Sequence, residues 1–265
     1  MIILGAFLIA SLASFTAGLL GSGSGLIAIP LLSKLLYYSG IPAANSMHVA
    51  IGTVFTFCII LMSTAVITQH KHNTIDWVLF KRTFYPANLG VIVGSIISTQ
   101  LDGHKLHFIF GVFVLCVGIW GLIRRKATPT YWSINNRYFL ISNFFVNLTV
   151  GLSGMGLLLI PYLRKYGVPV ITSIANVQAM GILSSLLGSI IYLLMGLNNH
   201  NLPSSCIGYI NWELLPPLTL GSIIFARYGV KVARYIPQNI LSLIFTLFMI
   251  LVGLYMVMVS FYINL

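Results

Sequence analysis

Two glycine-rich motifs contain the residues whose types and spacing could do chemistry. The first covers residues 20–30 (LGSGSGLIAIP) and the second covers residues 151–161 (GLSGMGLLLIP); aligned on their prolines, they agree at six positions. Glycines inside an apolar segment break a helix, and the helix that restarts presents unpaired N–H groups at its positive dipole end. Such groups bind anions, so each motif predicts an anion site made of backbone.

The serines and prolines of the motifs have structural and functional interpretations. The hydroxyl groups of Ser22, Ser24 and Ser153 either cap the restarting helices or donate to a bound oxyanion, and the sequence leaves both open. Pro30 and Pro161 are expected near the first turn of each restarting helix, where a missing N–H costs least.

Other polar residues expected inside the apolar segments are uncharged amides and hydroxyls. Asn143 and Asn147 are four residues apart and therefore share one helix face. Such groups either join helices or bind an anion that must be released again. The predicted substrate-binding residues are Gly21, Ser22, Gly23, Ser24, Gly25, Thr53, Asn147, Ser153, Gly154, Met155, Gly156, Asn176 and Gln178.

Titratable residues are scarce within the apolar segments. His48 is the only histidine expected well inside one, and it either carries a coupling proton or joins helices by hydrogen bonds. The three acids, Asp76, Asp102 and Glu213, fall at expected segment ends, so no buried carboxylate relay is expected. The three cysteines form no CxxC pair and lie near no histidine cluster, so neither a metal site nor a cofactor is expected.

The composition identifies the class of protein. Of 265 residues, 58% are hydrophobic and 6% are charged, and the mean hydropathy is +0.98, whereas soluble domains contain about 25% charged residues. The chain is therefore expected to be an all-α polytopic protein of the cell (inner) membrane. Its first residues lack a basic region, so the first apolar run is expected to be a retained span. The net charge of +11 is attributed to loop orientation, and no nucleic-acid partner is expected.

The distribution of basic residues indicates how the segments cross the membrane. The apolar segments are residues 2–18, 26–38, 44–69, 83–101, 106–123, 137–150, 156–166, 170–197, 210–228 and 239–262. If each motif joins two segments into one crossing, the 14 Lys and Arg divide seven against seven. If the chain turns back at each motif, they divide twelve against two, with only Lys34 and Lys105 opposite. The positive-inside rule favours the second arrangement.

This arrangement predicts two inverted repeats within a single membrane domain of about eight to ten membrane segments. Each repeat contains a glycine-broken helical hairpin and three transmembrane helices, the first over about residues 1–126 and the second over about 134–265. Because five passes is an odd number, the second repeat is inserted upside down and both termini lie outside the cytoplasm. Further echoes support the duplication: residues 40–42 (GIP) answer 167–169 (GVP), and the spacing from Pro86 to Gly90 recurs from Pro217 to Gly221.

Inverted repeats with discontinuous helices are typical of secondary transporters. The glycine run ending at Pro30, residues 40–53 (GIPAANSMHVAIGT), residues 73–77 (NTIDW) and the glycines at 90 and 94 together resemble the TauE/SafE family. The resemblance covers nearly the whole chain and implies a permease for a sulfur oxyanion or organosulfonate such as sulfite.

Three alternatives to a permease remain. An anion channel or uniporter would also explain the missing buried acid. An intramembrane enzyme is disfavoured, because no cluster of acid, base and metal ligand is expected on facing spans. A non-transporting component of a membrane assembly is the third alternative. The partners expected are a small anion and the lipid bilayer, and homo-oligomerisation is left open.

Overall fold

The computed structural model describes residues 2–20, 24–123, 137–199, 201–233 and 238–262. These residues form ten α-helices and one β-hairpin. The helices are α1 (Ile2–Leu20), α2 (Ser24–Tyr38), α3 (Ala43–Lys71), α4 (Trp77–Gln100), α5 (Gly103–Ile123), α6 (Arg137–Ser153), α7 (Leu159–Lys165), α8 (Val170–Gly196), α9 (Leu215–Ala233) and α10 (Gln238–Tyr262). The hairpin consists of β1 (Cys206–Ile207) and β2 (Ile210–Asn211).

Several helices have the length and apolar surface of membrane spans. Three of those described, Ala43–Lys71, Lys105–Ile123 and Val170–Gly196, are both long and apolar enough to cross a bilayer. Large apolar side chains such as Leu89 and Phe145 remain exposed on the helix surfaces, where hydrocarbon would be their solvent. The chain is a multi-pass membrane protein.

The two GxP sequences form the same turn in both halves of the chain. Gly40 and Gly167 have positive φ values of 94° and 79°, which follow the ends of α2 and α7. The next residue closes the turn in each case, because the N–H of Ile41 donates to Leu36 and the N–H of Val168 donates to Leu163. This is the six-residue hydrogen bond of a Schellman cap, for which glycine is preferred.

The helix contacts also occur in matched pairs. The main contacts join α1 with α9, α4 with α6, α3 with α8 and α5 with α10. If each helix of α1–α5 is matched with its counterpart in α6–α10, so that α1 matches α6 and α4 matches α9, the α1–α9 contact corresponds to the α4–α6 contact. The α3–α8 and α5–α10 contacts each join two matched helices. These main contacts are thus equivalent in the two sets of five helices.

Glycines let the paired helices approach to backbone contact. A Cβ added at Gly90 in α4 would lie 2.9 Å from the Leu148 nitrogen in α6, and one added at Gly94 would lie 2.9 Å from the Leu152 nitrogen. In α9, a Cβ added at Gly221 would lie 2.9 Å from the Phe7 carbonyl oxygen in α1. Small residues at such interfaces permit the close van der Waals packing that drives helix association in lipid.

The two glycine breaks differ in detail from the sequence expectations. Pro30 lies inside α2, beyond its first turn, whereas Pro161 lies in the first turn of α7 as expected. Ser153 does not cap the restarting helix, because it is the last residue of α6 and its hydroxyl donates to Thr149 at 2.6 Å. Gly21, Ser22 and Gly23 and the segment 124–136 lie outside the described residues.

The α4–α6 contact provides a test of this packing. Replacement of Gly94 by valine should lower the stability of the purified protein by about 1–3 kcal/mol, because the side chain must push α6 away. The melting temperature in detergent, followed by intrinsic fluorescence, measures the effect. Gly121→Ala is the matched control, since a Cβ there meets only Thr246 at 3.6 Å. Equal melting temperatures for the two variants would contradict the packing argument.

Candidate functional site

A cavity of about 920 Å³ lies between the two halves of the helix bundle. Its wall contains residues from α1, α2, α3, α4, α6, α7, α8 and α9, together with the segment that joins α6 to α7. Cavities of this size bind small molecules in other proteins, commonly where a few polar groups interrupt an apolar lining.

The two glycine motifs meet at this cavity. A Cβ added at Gly25 would lie 2.7 Å from Met155 Cγ and 2.9 Å from the Gly154 carbonyl oxygen, so a larger residue would displace the second motif. Gly154 has a φ of 69°, which favours glycine there as well. Gly25, Gly154, Met155 and Gly156 all line the cavity. Two sequence motifs that are 131 residues apart when aligned therefore form one wall.

Amide and hydroxyl groups form the polar part of the wall. Asn143 and Asn147 share one face of α6, and Asn147 Nδ2 donates to the carbonyl oxygen and to Oδ1 of Asn143, at 2.9 and 3.2 Å. Gln69 and Gln178 are joined across α3 and α8 by a hydrogen bond of 3.4 Å. The other hydroxyl and amide groups in the described part of the wall are those of Ser24, Thr64, Thr83, Asn176, Ser184, Ser185, Ser222 and Tyr228, together with the Cys58 thiol. These groups are neutral hydrogen-bonding partners for a ligand.

One end of the cavity is rich in positive charge. The helix ends and turns there, which we call the basic end, carry Lys71, Lys81, Arg82, Arg164, Lys165, Arg227 and Lys231. Arg227 and Lys231 are exposed, are one turn apart on α9, and line the cavity. Among the described residues of the wall there is no acid, since Asp76, Asp102 and Glu213 all lie elsewhere. We call the exposed part of the wall at the basic end, where Arg227 and Lys231 lie, the entrance of the cavity. The entrance is therefore positively charged.

The opposite end is filled by the β-hairpin, and we call it the hairpin end. The backbone N–H of Tyr209 donates to Tyr192 at 3.1 Å, and a Cβ at Gly52 would meet the Tyr209 carbonyl group. The Tyr209 ring stacks on His48 with a centroid distance of 5.0 Å. The N–H of Asn211 donates to Thr53 Oγ1 at 3.0 Å. These contacts separate the cavity from the surface at the hairpin end.

His48 and Thr53 therefore lie at the closed hairpin end and do not line the cavity. Both ring nitrogens of His48 face carbonyl oxygens: Nδ1 is 3.1 Å from that of Ala44, and Nε2 is 3.0 Å from that of Leu101. Ser153 also lies outside this wall. The structure brings the other described residues of the predicted set to the cavity, namely Ser24, Gly25, Asn147, Gly154, Met155, Gly156, Asn176 and Gln178.

Sequence reasoning missed several wall residues. Ser184 is one of them, although Asn176, Met180 and Ser184 recur every four residues and all line the cavity. That helical spacing was a signal that could have placed Ser184 beside Asn176. Arg227 and Lys231 were assigned to orientation alone, and no sequence signal placed them at a cavity entrance. Within the described residues, no group of three or more His, Cys, Asp or Glu side chains could hold a metal ion.

Comparison with known proteins gives a family and several relatives. The family model described as "Sulfite exporter TauE/SafE" matches residues 6–256. A "Probable membrane transporter protein" of Haemophilus influenzae is 25% identical over 252 residues, which are 94% of this chain and 96% of that protein. "Probable membrane transporter protein YunE" of Bacillus subtilis is 21% identical over 91% of this chain and 92% of its own length. "Probable membrane transporter protein MJ0441" of Methanocaldococcus jannaschii is 24% identical over 92% of each. No solved structure matches the chain.

Water access to the cavity can be tested with an introduced cysteine. Ala65 lines the cavity, whereas Leu89 is 55% exposed on the outside of α4 and does not. In a background where Cys58, Cys116 and Cys206 are replaced by alanine, Ala65→Cys should react with a water-soluble thiol reagent in native membranes. Leu89→Cys is the matched control and should react at least about tenfold more slowly, since thiolate forms poorly in hydrocarbon. Equal labelling rates at the two positions would contradict a water-filled cavity.

Proposed function

Because the chain belongs to the sulfite exporter TauE/SafE family, we propose that it is a secondary permease for a small sulfur oxyanion or organosulfonate such as sulfite. The family and the named relatives are membrane transporters and not enzymes. The observation that carries the anion proposal is the cavity itself, in which both glycine motifs meet behind a positively charged entrance. The sulfur chemistry comes from the family name.

The charges along the cavity favour an anion. Arg227 and Lys231 at the basic end would attract an anion and raise its local concentration. Deeper in the wall, the side-chain N–H groups of Gln178 and hydroxyls such as that of Ser185 can donate to its oxygens. Neutral donors bind less strongly than a buried cation would, which permits release on the other side of the membrane.

The volume of the cavity bears on the size of the substrate. An oxyanion of four heavy atoms fills only a small part of about 920 Å³. The remaining space would hold water, or the organic part of a larger sulfonate. Apolar wall residues such as Phe55, Leu61 and Val177 provide a surface for such an organic group.

We infer that the two halves are inverted repeats. In an inverted pair, equivalent helices run in opposite directions, and the contacts between α3 and α8 have this property. Gly52 near the start of α3 lies against Tyr192 near the end of α8, while Met62 further along α3 lies against Gly181 nearer the start of α8. Discontinuous helices from two such repeats commonly meet at the substrate site of secondary transporters.

The state of the two ends favours a carrier over a channel. The cavity wall is exposed at the basic end, at Arg227 and Lys231, while the hairpin end is filled by the packing of Tyr209 and Asn211 against α3 and α8. A carrier exposes its site to one side at a time, and this structure has the form of one such state. Release at the other side would require the hairpin to separate from α3.

The orientation of the chain follows from the same charges. We infer that the basic end faces the cytoplasm, by the positive-inside rule, and that both termini lie on the opposite side. In sealed vesicles of known orientation, the Ala65→Cys thiol should be labelled by an impermeant reagent in inverted vesicles and protected in right-side-out ones. The reverse pattern would overturn this orientation, and it would leave the cavity assignment intact.

An added negative charge tests the anion assignment. Gln178→Glu should lower the uptake of labelled sulfite into proteoliposomes by about tenfold, since a repulsion of about 1.4 kcal/mol corresponds to that factor. Gln100→Glu is the matched control, because Gln100 is exposed at the end of α4 and does not line the cavity. Its uptake should equal that of the unmodified protein. Unchanged uptake in Gln178→Glu would contradict the assignment of the cavity as an anion path.

A further inference from the structure

The cavity contains a gradient of charge that bears on which form of an anion it accepts. Its cations, Arg227 and Lys231, are both at the exposed basic end. Among the described residues of the deeper wall, the polar groups are amides, hydroxyls and one thiol, with no cation beside them. An anion that moves from the entrance to the glycine motifs therefore leaves the positive charges and meets only neutral dipoles.

Neutral dipoles discriminate between anions by charge. The free energy needed to dehydrate an ion rises with the square of its charge, so a dianion loses about four times as much as a monoanion of equal size. Its attraction to a fixed neutral dipole rises only in proportion to the charge, about twofold. A wall without a cation therefore favours an anion with one charge.

Asn176 provides a second and independent observation. It lies in the cavity wall and is 4% exposed, and its Nδ2 donates to the Thr172 carbonyl oxygen at 2.9 Å. Its Oδ1 has no hydrogen-bond partner within the described part of the chain. A flip of the amide would place Oδ1 against the Thr172 carbonyl oxygen, so the unpaired atom remains an acceptor. A buried acceptor is costly unless an O–H or N–H group reaches it.

A fully deprotonated oxyanion cannot satisfy this acceptor, because it has only oxygen lone pairs to offer. A monoprotonated oxyanion, or a sulfonate that carries a hydroxyl or amino group, brings the missing donor. Both observations thus select the same class of ligand: one negative charge and at least one hydrogen-bond donor.

Resting on the function proposed above, we propose that the permease takes its substrate as a singly charged anion that carries a hydrogen-bond donor, with Asn176 Oδ1 as the acceptor for that donor. For sulfite this form is hydrogen sulfite, HSO₃⁻. Each molecule carried in this form moves one sulfur, one negative charge and one proton together. The proton stays on the substrate, so transport needs no carboxylate relay in the protein.

A matched pair of organic anions tests whether the substrate needs a hydrogen-bond donor. Isethionate and ethanesulfonate carry one negative charge each and differ by a hydroxyl group. In proteoliposomes that take up labelled sulfite, isethionate should compete about two- to tenfold more strongly than ethanesulfonate, as one net hydrogen bond predicts. Asn176→Leu should remove this difference while it leaves competition by ethanesulfonate in place. Equal competition by the two anions in the unmodified protein would overturn the role of Asn176, whether or not the variant folds.

The pH dependence of sulfite uptake tests whether the substrate carries a single negative charge. Initial uptake at constant total sulfite should fall between about pH 6 and about pH 8, and the fall should approach tenfold per pH unit once hydrogen sulfite deprotonates. Where the structure describes the wall, its titratable side chains are Cys58, Arg227, Tyr228 and Lys231. Uptake of labelled ethanesulfonate, whose charge is constant, corrects for any effect of these groups and should change little over the same range.

The outcomes separate this inference from the proposed function. Sulfite uptake that rises with pH after this correction, or strong competition by the sulfate dianion, would overturn the selection of a single charge while anion transport stands. An absence of any anion uptake above that of empty liposomes, at every pH, would overturn the proposed function and this inference together.

Discussion

The need to satisfy backbone N–H and C=O groups in the bilayer constrains this structure most. Hydrocarbon offers no hydrogen bonds, so a break in a membrane helix is stable only where protein or water can solvate it. The chain contains two glycine motifs, and Ser24 and Gly25 of the first line the same cavity as Gly154, Met155 and Gly156 of the second. Gly25 against Gly154 and Met155 joins them at van der Waals distance. The two motifs thus line one polar cavity, which can satisfy the backbone groups of both.

The surrounding helices must then be held close enough to enclose that space. Lipid supplies no hydrophobic force between helices, so association depends on close packing. Gly90 and Gly94 allow α4 to contact the α6 backbone, and Gly221 does the same for α9 on α1. All four of these helices contribute residues to the cavity wall, which explains why both halves of the chain contain glycines in their long helices as well as in the glycine motifs.

Much of this was predictable from the sequence, because the glycine motif and the GxP sequence each occur twice and make a weak signal visible. The GxP sequences at Gly40 and Gly167, which the sequence presents only as an internal echo, form turns with the same hydrogen bonds. Local chemistry was less predictable. Ser153 continues α6, because a serine near a helix end can donate to the preceding turn as readily as it can cap the next helix. Thr53 and His48 face the β-hairpin, and two-residue strands leave no periodic pattern from which that contact could be foreseen.

The basic residues show how one feature can serve two purposes. Positive charges near the membrane orient a chain during insertion, and we attribute most of the +11 net charge to that role. Arg227 and Lys231 belong to the same group, yet their position on α9 also places them at the cavity entrance. A cation deeper in the wall would hold an anion more tightly and slow its release. Because the cations lie at the entrance, they attract the anion without holding it deeper in the wall. In the proposed mechanism, the neutral amides near the glycine motifs then select the charge state of the substrate.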